Sequence, residues 1–533
     1  MVASSRKDVI KNIIGQIPFT AEVYWLVRQG GKPIHSRFSL KGLNAELPEL
    51  VKIAQEARKG KPTGKKIFIF ASLHYWIEHA ALMGVALSAL GHKVSFGFLP
   101  YSDWQLPINK FDLRRQNAYA RKVLDIASPV MNIMPALNLK PTYKPMPSDI
   151  HDRVELISHY DSQYTLQNEE VDKASTIYKL RSERNLFAAQ TIYPYLKEAK
   201  PDMVIVPNGT IQEQGIVYQI ARYLKINTIT YEFGDQRQHI WLAKNQEVMQ
   251  QQTDDLWEAK KDIPLTEEQM DRLKSLFSAR QRASLVENFA RLWQDVPAQG
   301  ASEAKKALQL DNRPVVLLAT NVLGDSLTLG RQIFSSSMAE WITRTLQYFL
   351  GRPDVQLVIR VHPGEVLTHG LSMIDVVKSV SPVLPEYIHI VGPKDKVNTY
   401  DLIEVADIGL VYTTTVGMEM ALSGVPVIVA GKTHYRGRGF TIDPDNWVTY
   451  YKTIGQMLEN LSKFKMTREK VELAWRYAYR FFFEYPRAFP WHLVRLWDDY
   501  RERPLDALLN GKESDYLETL DYLVGKPIPW KDI

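Results

Sequence analysis

The chain has 533 residues, 45% of them hydrophobic and 24% charged, with a formal net charge of +6. That length exceeds one ordinary core and predicts two large domains with additions. The modest charge excludes a dedicated nucleic-acid binder, and the absence of cysteine excludes disulfides, thiolate metal sites and a cysteine nucleophile, which suits a reducing cytoplasm.

Residues 1–60 read as an N-terminal appendage. The opening MVASSRKDVIKNIIGQIPF lacks the apolar core and cleavage pattern of a signal peptide. Residues 21–28 and 33–40 alternate around Gln29-Gly30-Gly31-Lys32, which predicts a β-hairpin, and residues 47–58 read as an amphipathic helix. No stretch approaches the roughly 18–20 apolar residues of a membrane span.

Residues 61–300 read as a first wound α/β domain. KIFIFAS is a buried strand; a helix rich in small residues follows, stopped by Gly91, and then the strand KVSFGFL, a βαβ unit. Residues 101–165 read as long loops and helices. Residues 175–199 form a long helix, PDMVIVP and NTITYE are further strands, and Phe233-Gly234-Asp235 closes the last of them. Residues 246–312 are charged and helical in pattern, a linker between domains.

The second sheet, within residues 301–465, opens at PVVLLA and continues through VQLVIRV, ending in His362-Pro363-Gly364-Glu365. ADIGLVYTTTVGMEMALSGVPVIVA then reads as strand, turn, helix, tight turn, strand. Hydroxyl residues cap such a helix, and the helix start at a sheet's carboxyl edge receives phosphate. Residues 466–533 read as terminal helices that cross back to the first domain. The expected architecture is α/β, with two wound parallel-sheet, Rossmann-like domains facing a cleft.

Several clusters carry chemistry. The polar loop 321–330 could close over a leaving phosphate; an ordinary βα loop is the alternative. His362, held by the following proline, could donate to a phosphate. Thr413, Thr414, Thr415 and Gly417 supply hydroxyls and N–H groups to the same phosphate, and Glu419 could accept from two ribose hydroxyls, against a plain helix-start glutamate. Lys432, Tyr435, Arg436 and Arg438 lie among glycines in a cationic loop suited to a diphosphate or an acidic sugar, or simply solvated. Glu232 or Asp235 could deprotonate an acceptor hydroxyl, with Glu78 as a competing base. His74, Glu78 and His79 match no established metal motif, so no metal is assigned.

VHPGE, TTTVGMEMALSGVPVIVAGKTHYRGRGFTID and YRFFFEYPRAFP together resemble the capsule polysaccharide biosynthesis glycosyltransferases, which have the GT-B fold. The resemblance is good over residues 313–490 and thin before them. It implies a nucleotide-sugar donor, CMP-Kdo in some members, and a glycan or lipid-linked acceptor. It places His362 and residues 413–415 at the donor phosphate and Glu419 at the ribose. The family commonly has a serine pair where this chain has three threonines, and a basic or aromatic residue where this chain has Gly364-Glu365.

The expected activity is therefore metal-independent glycosyl transfer without a cofactor. A non-hydrolysing nucleotide-sugar 2-epimerase, a CDP-polyol phosphotransferase and a degenerate GT-B scaffold are the rivals. The expected place is the cytoplasm, with the inner membrane face or a polysaccharide-assembly complex as further options. Residues 475–503 mix aromatics with arginines, which suits either a membrane interface or a buried crossover.

Overall fold

Strands buried on both faces read as continuous apolar runs, and two such sets organise this chain. A computed structural model describes residues 6–33, 38–141, 145–284, 296–511 and 513–532. The first sheet comprises β1 (Lys66–Ser72), β2 (Lys93–Leu99), β3 (Met131–Pro135), β4 (Met203–Pro207), β5 (Asn227–Glu232) and β6 (His239–Lys244). The second comprises β7 (Val315–Ala319), β8 (Gln356–Arg360), β9 (Ile388–Val391), β10 (Ile408–Val411) and β11 (Val427–Val429). A two-residue strand, β12 (Arg487–Ala488), returns to the first sheet and pairs antiparallel with β6.

The orders are β12-β6-β5-β4-β1-β2-β3 and β11-β10-β7-β8-β9. Strands β5-β4-β1-β2-β3 of the first sheet and all five of the second are parallel. Each parallel set has the doubly wound order in which chain direction reverses beside the founding strand: between β1 and β4, and between β7 and β10. Ligands enter α/β sheets at the carboxyl side of that reversal. The fold is thus the expected GT-B type, twin Rossmann-like sheets with a C-terminal return.

Several expectations at the periphery need correction. Residues 21–28 are not a strand: they lie in the helix Thr20–Gln29, which follows the helix Arg6–Ile14. Their alternation over eight residues is too short to distinguish a strand from a helix. The second arm of the expected hairpin falls largely on residues 34–37, outside the described residues. The helix Lys41–Arg58 buries Leu43, Leu47, Leu50, Val51 and Ala54 in the first domain's core, so it is part of that domain. β3 went unread within residues 101–165, taken as loops and helices, and β6 lies in residues 236–245, to which no element was assigned. In the region taken as a linker, Leu256, Trp257, Leu273, Leu276 and Phe277 share a core with the second sheet, so the change of domain lies nearer β6 than residue 300. Residues 475–503 are largely internal, with Tyr477, Phe481, Phe489 and Trp491 all buried, which excludes them as a membrane interface.

At the first sheet's reversal the crevice is filled by charge. Arg181, on the helix Thr176–Ala199, is wholly buried; its Nε donates to Asp161 Oδ2 (2.5 Å) and its Nη2 to Glu213 Oε1 (2.9 Å). Ser72, at the end of β1, donates to Glu213 Oε2 (2.7 Å). Breaking a buried ion network by removing one partner strands the remaining charges. Arg181→Ala is therefore expected to lower unfolding free energy by about 3–5 kcal/mol in urea titration.

Candidate active site

At the second sheet's reversal, the two strand ends diverge and a side chain bridges them. Asn321, just beyond β7, accepts the backbone N–H of Thr413, just beyond β10, at 3.2 Å. Thr320 Oγ1 accepts the backbone N–H of His362 at 3.1 Å, which ties the end of β8 to the same edge. His362 has the extended backbone expected before proline (φ −59°, ψ 126°). Its Nδ1 accepts from the Gly364 N–H at 3.0 Å, so the neutral ring carries its proton on Nε2.

These groups border a cavity of about 250 Å³ whose walls come from both domains. The second domain contributes Asn321, Arg331, His362, residues 413–415, Glu419 and Lys432; the first contributes Asp235, Gln236 and Trp241; the C-terminal return contributes Phe481, Phe482 and Pro486. Thr413 Oγ1 is buried and has no hydrogen-bond partner among the described residues. Thr414 Oγ1 accepts from the Val416 N–H at 3.4 Å. The helix that follows, Val416–Leu422, has only seven residues. Its dipole is correspondingly small, so side-chain donors carry more of any phosphate binding than the sequence led us to expect.

Two residues passed over in the sequence are central here. Arg331 follows the polar loop and donates to the carbonyl oxygens of Met249, Gln250 and Lys432. Its Nε is buried without a partner, and among the described residues no carboxylate pairs with it. Burial pushes its pKa down to about 10, against the pull of Glu247, so it remains a cation at neutral pH. The exposed Lys432 stands beside it. The second is His434, whose ring stacks on Phe481 at 3.9 Å and 9°. Burial, then Arg331 and Arg438, hold His434 well below the usual histidine range, so it is neutral. The Tyr477 hydroxyl donates to the His434 carbonyl (2.7 Å) and lies 2.9 Å from Nδ1. With that proton committed, Nδ1 donates and the buried Nε2 is an acceptor at the cavity wall. The signals available were a lone arginine after the glycine-flanked loop and a histidine inside KTHYRGRGF; neither forms a recognised motif.

The other expected residues divide. Glu419 is at the cavity, 4% exposed, and its Oε1 accepts from Arg280 Nη1 at 2.7 Å. Arg280 ends the helix Glu267–Gln281, which an N-terminal capping box between Thr266 and Gln269 starts. Gly417 and Arg436 are not on the cavity wall. Arg436 turns away to the carbonyls of Val429, Asp443 and Pro444 and to Asp445, where it closes its own loop. A Cβ on Gly417 would lie 2.4 Å from the Tyr435 hydroxyl, which passes it to donate to the Thr414 carbonyl at 2.6 Å. That glycine and Tyr435 therefore shape the threonine turn from behind.

On the first domain, Asp235 faces the cavity, whereas Glu232 sits behind it at the end of β5. Glu232 accepts from Asn208 Nδ2 (3.0 Å) and from the Phe233 N–H (3.1 Å). Burial outweighs both bonds and pushes its carboxyl up to about 7. Glu78 does not compete as a base: it accepts from the Leu43 N–H and Trp497 Nε1 and so pins two helices together. His79 is buried among Tyr231, Phe233 and Phe489, with Nε2 3.2 Å from the Trp491 carbonyl. Among the described residues no group of three histidine or carboxylate side chains is placed to hold a metal ion.

The family model described as capsule polysaccharide biosynthesis protein matches residues 195–450, a span that takes in VHPGE and the segment from Thr413 to Asp443 and ends before YRFFFEYPRAFP. No curated protein matches the chain. Similar solved structures include the KpsC β-Kdo 2,4-transferase of Thermosulfurimonas dismutans, at 17% identity and TM-score 0.34, covering 61% of this chain and 87% of that one. The β-Kdo 2,7-transferase of the same organism gives 13% identity and TM-score 0.32, with coverage of 62% and 97%. A UDP-GlcNAc 2-epimerase of Neisseria meningitidis gives 13% and 0.25, with coverage of 78% and 99%. Likeness at this level leaves the chemistry to be argued from the chain's own residues.

Gly417→Ala is expected to displace Tyr435 from Thr414 and to cost about 1–3 kcal/mol, read by chemical denaturation. Arg436→Ala should loosen its own loop while leaving nucleotide affinity, measured by calorimetry, within about twofold of wild type.

Proposed function

We propose that this chain, whose residues 195–450 match the capsule polysaccharide biosynthesis family, is a glycosyltransferase that moves a sugar from a nucleotide-activated donor to a glycan or lipid-linked hydroxyl. The observation that carries the reading is the cavity at the β7/β10 reversal. There Arg331 and Lys432, cations with no ion-pair partner among the described residues, join His362 and the threonine turn opposite the carboxylate of Asp235.

The donor phosphate lies against residues 413–415, within reach of Arg331, Lys432 and the Nε2–H of His362. As the bond between the anomeric carbon and the phosphate oxygen breaks, negative charge grows on that oxygen, and donors already in place stabilise it without reorganising. The acceptor hydroxyl attacks the anomeric carbon from the first-domain side and passes its proton to Asp235, the carboxylate that faces the cavity, or to Glu232 behind it. Asp235 has the position for a base, at the cavity wall, and Glu232 has the proton affinity suited to neutral operation. Cationic side chains take the place of a metal in this scheme, and turnover is expected to persist in EDTA. Glu419, paired to Arg280, fixes the floor beside the phosphate and presents its carboxylate to the ribose. CMP-Kdo heads the donor candidates, followed by UDP- and GDP-sugars.

A donor panel assayed for nucleotide release, with and without acceptor glycan, tests the reading. Combined His362→Ala and Thr414→Ala should lower kcat by about 10²–10³-fold; intact turnover would overturn the phosphate assignment. A free, altered sugar would point to an epimerase, and nucleotide binding without turnover of any donor to a scaffold.

The pH dependence follows from the base. With Glu232 as the base, which works ionised, kcat/KM should fall about tenfold per pH unit below about 7 and level off above it. Glu232→Gln should abolish that dependence along with most of the activity. A wild-type profile already flat at pH 5 would reassign the base.

A further inference from the structure

The N-terminal helices Arg6–Ile14 and Thr20–Gln29 leave an apolar face bare. None of the residues in the first helix is buried, and the second buries only Ala21 and Trp25. Ile10, Ile13 and Ile14 recur at helical spacing and are exposed, as is Ile17 in the turn that follows. Val23, Leu26 and Val27 continue the face, and Phe19, between the helices, is 74% exposed. Of the nineteen large hydrophobic side chains exposed among the described residues, ten fall between Val9 and Val27; the other nine are scattered from Leu106 to Val494.

The opposite face of the pair is firmly seated. Asn109 donates to Asp8 (3.1 Å), Lys11 pairs with Asp112 (2.8 Å), and Arg114 binds Glu22 and the carbonyls of Gly15 and Ile17. Gly15 lies so close to the helix Lys110–Leu124 that a Cβ would stand 2.4 Å from the Phe111 nitrogen. The apolar face is therefore held outward by a rigid attachment. Phe19 also takes a left-handed backbone (φ 63°), a conformation bulky residues rarely adopt, with no packing of its ring to compensate. Around this face Arg6, Lys7, Arg28 and Lys32 are exposed, and none pairs with a carboxylate among the described residues.

We propose that this helical pair docks on an anionic phospholipid surface, with its isoleucines, valines and Phe19 at the headgroup–acyl boundary and the four cations among the headgroups. A second copy of the chain fits less well, because a two-fold contact through the face would bring the same cations together. The attached helix Lys110–Leu124 follows β2 at the carboxyl edge of the first sheet, the edge that also carries Glu232. A docked pair would thus hold the acceptor-side edge near the membrane. The inference stands whether or not the cleft transfers sugar.

Flotation of the full chain with vesicles tests it, comparing phosphatidylcholine alone with phosphatidylcholine containing phosphatidylglycerol. The wild type should float with the anionic vesicles only, and less at high salt. Combined Ile13→Asp and Val27→Asp should cut the bound fraction by about tenfold while thermal unfolding and nucleotide binding stay unchanged. Lys7→Glu with Arg28→Glu should remove the preference for anionic lipid. A wild type that floats with neither vesicle, or a double aspartate variant that floats as well as wild type, would overturn the proposal. So would a lipid-indifferent dimer, seen by light scattering, that the aspartates convert to monomer.

Discussion

The reversal of strand direction beside β7 is the constraint on which the rest of the site depends. Where neighbouring strands lead their chains to opposite faces of a sheet, no connection covers the gap between them. The gap must be bridged by side chains, and here the Asn321 amide holds the Thr413 backbone across it. Thr320 then brings His362 to the same rim. One asparagine and one threonine thus set the spacing among three strand ends, and the catalytic groups proposed here inherit that spacing.

The two sheets use the same topology in opposite ways. At the β1/β4 reversal, Arg181 pairs with both Asp161 and Glu213 and Ser72 donates to Glu213, and the crevice is a structural joint. At the β7/β10 reversal, Arg331 donates only to carbonyl oxygens, and its positive charge meets no carboxylate in an ion pair among the described residues. Burying a cation outside any ion pair is costly, and an anionic ligand would offset that cost. Fold alone would make the crevices equivalent; charge distinguishes them.

The C-terminal return joins the halves. After the helix Arg468–Tyr479, a π turn over Arg480–Glu484 turns Phe481 and Phe482 toward the cavity, and β12 then pairs with β6 of the first sheet. Glu484 is gripped by both Arg480 and Lys260, the latter from the segment that leaves the first sheet. Phe481 stacks on His434, so the same turn that crosses between domains also sets the orientation of a cavity-wall imidazole. Local widening of a helix into a π turn commonly marks a functional position, and here it serves packing and site together.

The sequence by itself determined the architecture and several of the strand ends that border the cavity. Buried parallel strands such as KIFIFAS and PVVLLA are legible because both faces need apolar side chains, and His362-Pro363 and the threonine turn are legible because local backbone chemistry specifies them. What it could not determine was anything that depends on which surfaces meet. Arg436 and Gly417 lie in the right segments yet face away, because a loop's cations and glycines serve its own closure as readily as a ligand. Arg331 and His434 became visible only when the segments at residues 248–251 and 477–482 were packed against them. The N-terminal helices were mistaken for a hairpin because a short alternation fits both periods, and their bare apolar face emerged only once the core was seen to be complete without it. Local pattern encodes periodicity and turn chemistry; orientation, burial and proton affinity arise from contacts between residues far apart in the chain, and only the tertiary structure decides those.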